Sequence, residues 1–197
     1  MTDLIPLLGL KTLCELGVTS LHALKSLNLS RMRFHSVIVD SFSSFSTDTS
    51  AVFPNDLPGM TLTKGETHII LYRDGMSFGR RNFTIAHELG HLLLGHTVSD
   101  SAAEREADLF AESLLIPSAL VLLIEKKTGK RLHPVDMLRY FPVSLSVCKI
   151  KRREMDSSSF PFPNESELRI AEPFLSDMFA DVSFGSTEEA WLDPDKI

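Results

Sequence analysis

Two histidines one helical turn apart, with a glutamate directly after the first, are the residues of this chain whose types and spacing best suit chemistry: His87-Glu88-Leu89-Gly90-His91. An α-helix repeats every ~3.6 residues, so His87 and His91 point the same way and can share one metal ion through neutral imidazole nitrogens. Glu88 is offset just enough to reach a water in an open position beside the metal and take its proton, which is the working pattern of a zinc hydrolase. On the opposite side Ile85, Leu89 and Leu92 recur at the spacing of a buried stripe, so one helix can both anchor and coordinate. The five-letter motif also arises by chance, and paired histidines on an apolar helix are ordinarily core residues bonded to backbone carbonyls. A second element has to complete the site.

Residues 104–117 offer that element, because a catalytic zinc needs a third protein ligand and one open position. Its apolar stripe is Ala107, Phe110, Ala111 and Leu114, with Glu104 and Asp108 one turn apart on one flank. Glu104 and Glu106 diverge by about 200° around a helix, so both cannot face one ion. Glu104 is the expected ligand, since Asp108 one turn beyond it can accept the free N–H of a liganding histidine and hold that ring in its metal-binding tautomer. Glu106 has no such companion. The structural alternative for Glu104 is a capping box, Ser101-Ala102-Ala103-Glu104, in which the carboxylate returns to the Ser101 backbone.

His96 invites a three-histidine site, but that arrangement places a glycine and a histidine where Leu94 and Thr97 stand. Lying five residues beyond His91, His96 is expected to point away from the metal face and to serve in closing the helix after Gly95.

The run from Arg80 through His96, R-R-N-F-T-I-A-H-E-L-G-H-L-L-L-G-H, followed by E-R-E-A-D-L-F-A-E-S-L-L-I-P, resembles the ImmA/IrrE family of bacterial metallopeptidases. The resemblance is close over residues 80–117, continues weakly in Tyr140-Phe141-Pro142-Val143-Ser144, and is poor before Thr67. It implies a thermolysin-like, zincin-like α+β domain, with His87, His91 and Glu104 as ligands of one Zn2+ and Glu88 as general base. Mn2+ or Fe2+ suit similar ligands. Family members typically sit beside a helix-turn-helix repressor or antitoxin and cleave it, or otherwise relieve repression, on a stress or mobile-element signal. The resemblance thus implies a protein substrate of that kind. A metal-dependent sensor that binds without cutting is the alternative within the family.

Composition fits a single ordinary domain: 197 residues, 43% hydrophobic, with one Trp and two cysteines. Cys14 and Cys148 are too few for a disulfide framework or a thiolate zinc site, and reduced, partly buried thiols are expected. The apolar start lacks a basic leader and is interrupted by Pro6, so neither a signal peptide nor a membrane span is expected, and the expected location is cytoplasmic. Residues 156–197 carry ten acidic and two basic side chains, leaving residues 1–155 slightly positive. The expected organisation is a metallopeptidase domain over 1–155, of which 1–65 is its weakly matched part, and an acidic extension over 156–197. Within the extension Phe174, Met178, Phe179 and Phe184 supply enough apolar surface for a small packed segment.

Elements that must position the site can also be read. Residues 66–72 are β-branched and end at the turn signal Asp74-Gly75, which predicts a strand. By resemblance it is the edge strand bordering a substrate groove, its alternative being a plain core strand. Residues 32–39 predict another strand, 10–27 one or two short helices broken near Gly17, 41–50 a polar loop, and 119–127 a helix ended by Gly129. Residues 135–141 and 145–155 predict a helical pair that imitates a helix-turn-helix, with Lys149, Lys151, Arg152 and Arg153 on its second member. DNA binding through that pair is the competing function. The acidic tail argues against it by opposing a phosphate backbone. For an oxyanion donor, Tyr72, Tyr140 and His68 are equal candidates.

Overall fold

A computed structural model describes residues 4–49, 53–54, 56–98 and 100–178. In chain order the elements are α1 (Ile5–Glu15), α2 (Leu21–Lys25), a 3-10 turn (Leu29–Arg31), β1 (Val37–Ser41), α3 (Phe42–Thr49), β2 (Gly59–Lys64) and β3 (Thr67–Tyr72). Then follow α4 (Phe78–Leu93), α5 (Ser101–Leu115), α6 (Ser118–Thr128), α7 (Pro134–Met137), α8 (Leu145–Met155), α9 (Glu165–Ala171) and a closing 3-10 turn (Glu172–Asp177). The architecture is α+β: a three-stranded sheet in the order β1-β3-β2, with β1 parallel and β2 antiparallel to β3, set among helices.

The strand over residues 67–72 forms, but at the centre of the sheet. Ile70 and Leu71 are adjacent and both fully buried, as in a strand covered on both faces. The plain core strand, the alternative reading of this segment, is the one that forms; β2 is an outer strand and joins β3 through a two-residue turn at Gly65-Glu66, with Gly65 at φ +61°. β1 starts later than the apolar run predicts, since His35 sits at φ +48° and leaves only an isolated bridge between Phe34 and Val37 before the strand.

The expected polar loop at 41–50 is instead the helix α3. Ser41 Oγ accepts from Ser44 N, and the Asp74 carboxylate accepts from both the N–H and the hydroxyl of Ser43, so two acceptors satisfy its first turn. Only one turn of the predicted 135–141 helix forms as α7. Phe141 turns fully into the core and Pro142 follows it, and the residue before a proline disfavours helical backbone.

α4 and α5 lie against each other at the centre, α1 covers the other side of α5, and the sheet packs on α4. Ile85, Leu89, Phe110, Ala111, Leu114 and Leu120 are fully buried there. The stretch Ser101–Thr128 is apolar enough to cross a membrane by length and composition, and its apolar side chains supply this core. Asn82, wholly buried on α4, accepts from Leu29 N and donates to the carbonyls of Leu27 and Pro142, so it ties the helix to two flanking segments.

The first part of the expected acidic extension joins the same core: Ala171, Phe174 and Leu175 are buried with α1 and α6 residues. The rest of it, residues 179–197 with Phe179 and Phe184, lies outside the described residues. On α8 the basic run is divided. Lys151 is buried and lies 3.0 Å from Glu112 Oε2, and Arg152 lies 2.6 Å from Glu125 Oε1, while Lys149 and Arg153 stay exposed. Cys14 is exposed and Cys148 buried, both as free thiols.

Candidate metal centre

The motif lies inside α4, and α5 brings its carboxylates against it. What lets the two helices come close enough is Gly90. A Cβ there would stand 3.0 Å from Phe110 Cδ1 and 3.2 Å from Ala107 Cα, tighter than ordinary contact. The small pair Gly90 and Ala107 therefore sets the helix separation midway between His87 and His91 on one side and Glu104 and Asp108 on the other.

His87 Nε2 and His91 Nε2 face each other at 3.0 Å. Glu104 Oε2 lies 3.3 Å from the first and Glu104 Oε1 3.6 Å from the second. Two imidazole nitrogens with lone pairs converging at such range repel unless a proton or a cation lies between them. A tetrahedral Zn2+ about 2.0–2.1 Å from each ligand holds its ligand atoms roughly 3.3 Å apart. Two nitrogens and one carboxylate at these separations fit such an ion. The same three residues are the group in the described chain able to hold a metal.

Asp108 Oδ1 lies 2.8 Å from His87 Nδ1, so the ring can donate there and keep Nε2 unprotonated. The N-terminus of α5 is capped by Asp100, whose carboxylate accepts from Ala102 N and Ala103 N. Asp100 thus takes the capping duty that the sequence alternative gave to Ser101 and Glu104.

Burial works against charge on both rings. At His87 the hydrogen bond and charge of Asp108, with Glu88 and Glu104, outweigh it and raise the pKa. At His91 burial, joined by the charge of His87, lowers the pKa. Burial pushes the Glu88 carboxyl up, a hydrogen bond from Thr61 and the charge of His87 pull it back, and Glu104 adds to the rise.

Thr61 had no sequence signal of its own. Its hydroxyl donates to Glu88 Oε2 at 2.8 Å from the edge strand β2. Gly59 permits that approach, since a Cβ there would stand 2.5 Å from Thr84 Cγ2 and 3.6 Å from Glu88 Cγ. The alternation Met60-Thr61-Leu62-Thr63 before Gly65 was the legible sign of this strand.

His96 departs from expectation. Its backbone N–H does close the helix, donating to His91 O at 3.0 Å after Gly95 at φ +71°. Its ring does not point away: His96 Nδ1 lies 2.9 Å from His91 Nδ1.

The residues open onto a cleft of about 720 Å³ between β2, α4 and the segment after α4, with Leu57, Met60, Phe83 and Val98 as apolar lining. Arg73 fixes the entry to β2 by donating to the carbonyls of Pro54 and Leu57. Tyr72, Tyr140 and His68 are not among the cleft-lining residues, so none of the three oxyanion candidates faces it.

In this mixed α+β domain two helix-borne histidines and a carboxylate converge beside a cleft, an arrangement that can hold a divalent metal ion. The family model for peptidase M78, the IrrE N-terminal-like domain, matches residues 38–151, and the chain belongs to that family of metal-dependent peptidases. The match runs from β1 to α8 and so extends well before Thr67, where the motif resemblance faded. No curated protein matches the chain.

Proposed function

We propose that the chain is a zinc-dependent endopeptidase with a zincin-like site, acting in the cytoplasm on a partner helix-turn-helix repressor or antitoxin. The observation that carries the catalytic part is the convergence of His87 Nε2, His91 Nε2 and the Glu104 carboxylate within 3.6 Å of one another, with Glu88 adjoining the same cleft. Held by these three, a divalent ion supplies Lewis acidity toward water and the scissile carbonyl.

Glu88 takes the proton of the attacking water as its oxygen bonds to the carbonyl carbon, then gives that proton to the amine as the C–N bond breaks. Thr61 holds one oxygen of Glu88 in place during both transfers. Asp108 holds the His87 ring in the tautomer that leaves Nε2 for the metal. β2 is an outer strand lining the cleft, and an extended substrate can add main-chain hydrogen bonds along it. The substrate class rests on the family relation alone.

The test incubates zinc-loaded protein with the repressor or antitoxin encoded beside it, alongside Glu88→Gln, following fragments and DNA release together. Fragments with wild type only support the protease. DNA release by both proteins without fragments overturns it in favour of a binding sensor. Salt-sensitive DNA binding by this chain alone, lost on changing the exposed Lys149 and Arg153, would make it a regulator that contacts DNA.

A further inference from the structure

We infer that His96 and Glu106 form a positioning chain for His91, the counterpart of Asp108 on His87; the inference rests on the metal-centre reading above. His91 Nδ1 and His96 Nδ1 are 2.9 Å apart, and His96 Nε2 lies 3.2 Å from Glu106 Oε2. The rings meet edge to face at 72°, and the His96 side chain is 10% exposed, so the contact is enclosed.

Counting protons along the chain leaves one consistent assignment. A liganding His91 presents the Nε2 lone pair to the metal and must carry its hydrogen on Nδ1. That hydrogen points at His96 Nδ1, which accepts only as a lone pair. His96 then carries its own hydrogen on Nε2, facing a carboxylate oxygen of Glu106. Every donor has an acceptor, and the chain ends on an anion just as the His87 chain does at Asp108.

Simple helix closure does not account for this. The backbone N–H of His96 already caps His91 O, yet both ring nitrogens are also engaged, one by a ligand ring and one by α5. Glu106 sits about 200° around α5 from Glu104, which bars it from the metal. The left-handed turn at Gly95 folds His96 back to bridge Glu106 and His91. Three carboxylates of one helix thus serve three tasks: Glu104 toward the ion, Asp108 behind His87, and Glu106 behind His91 through His96.

The test uses the full chain, with Zn2+ as probe, in competition against a chromophoric chelator. His96→Ala should weaken zinc binding by about 10–100-fold, the usual effect of losing an outer partner of a ligand. His96→Gln, whose amide oxygen can accept from His91 Nδ1, should recover part of that loss, which a folding defect would not allow. Glu106→Gln should weaken binding in the wild-type background and add nothing to His96→Ala. Nitrogen-15 spectra of the zinc-loaded protein should show the proton of His91 on Nδ1 and that of His96 on Nε2. Wild-type affinity in His96→Ala, an equal Glu106→Gln loss with and without His96, or the opposite tautomer at His96 overturns the chain. Failure of wild type to bind Zn2+ overturns the metal centre itself, and the chain with it, and is distinguishable because the wild-type curve alone reports it.

Discussion

Thr61 donates its hydroxyl hydrogen to Oε2 of Glu88 across 2.8 Å, so the outer strand β2 holds the motif's carboxylate directly. A hydrogen bond to a charged group is worth about 1.5–3 kcal/mol. Thr61→Val, close in shape but without the hydroxyl, should lower turnover roughly tenfold or more at unchanged zinc content, and Thr61→Ser should restore it. Turnover of Thr61→Val equal to wild type would remove Thr61 from the mechanism.

Asp108 Oδ1 lies 2.8 Å from Nδ1 of His87, on the side of the ring away from the candidate ion. Asp108→Ala should raise the Kd for zinc by about 10–100-fold, measured by chelator competition. An unchanged Kd would mean that the 2.8 Å contact does not tune the ligand.

Lys151 and Glu112 form a buried pair 3.0 Å apart, with side chains 4% and 12% exposed. Removing one partner leaves an uncompensated charge, and Lys151→Ala should cost on the order of 3–5 kcal/mol in urea unfolding. The double change Lys151→Met with Glu112→Gln should cost clearly less, because neither charge is then stranded. A loss under about 1 kcal/mol for Lys151→Ala would return this lysine to the surface and reopen a DNA-contacting role for α8.

Beside that pair, burial pushes the Glu154 carboxyl up to about 7, aided by the like charge and hydrogen bond of Glu112 and opposed by Lys151. The folded state thus binds this proton more tightly than the unfolded chain. Its contribution to stability is complete below the ordinary value of 4.5 and is lost as pH rises through about 7. The Tm of wild type relative to Glu154→Gln should therefore fall between pH 5 and 8. A difference that stays constant over that range would contradict the shift.

Much of the site was legible because it is local. The turn spacing of His87 and His91, and of Glu104 and Asp108, is a property of helices that form where their apolar stripes predict. Thr61 was not legible, because its place beside Glu88 depends on which strand lies at the sheet edge, and sheet order is a long-range property. His96 misled for a related reason. Extrapolating helical angles past Gly95 ignores the left-handed turn that ends the helix and folds the next side chain back. At 41–50, serines read as a loop became helix because Asp74, three tens of residues onward in the chain, supplies an acceptor for the first turn. The basic run of α8 read as one surface until Glu112 and Glu125 from other helices took two of its charges inward.

The most direct test is the metal content of full-length protein after zinc loading and gel filtration, measured by mass spectrometry for wild type, Glu88→Gln and Glu104→Ala. One ion per chain in the first two, with its loss in the third, is the expected result. Equal metal in Glu104→Ala, or none in wild type, would show that the carboxylate and the two rings do not hold an ion together.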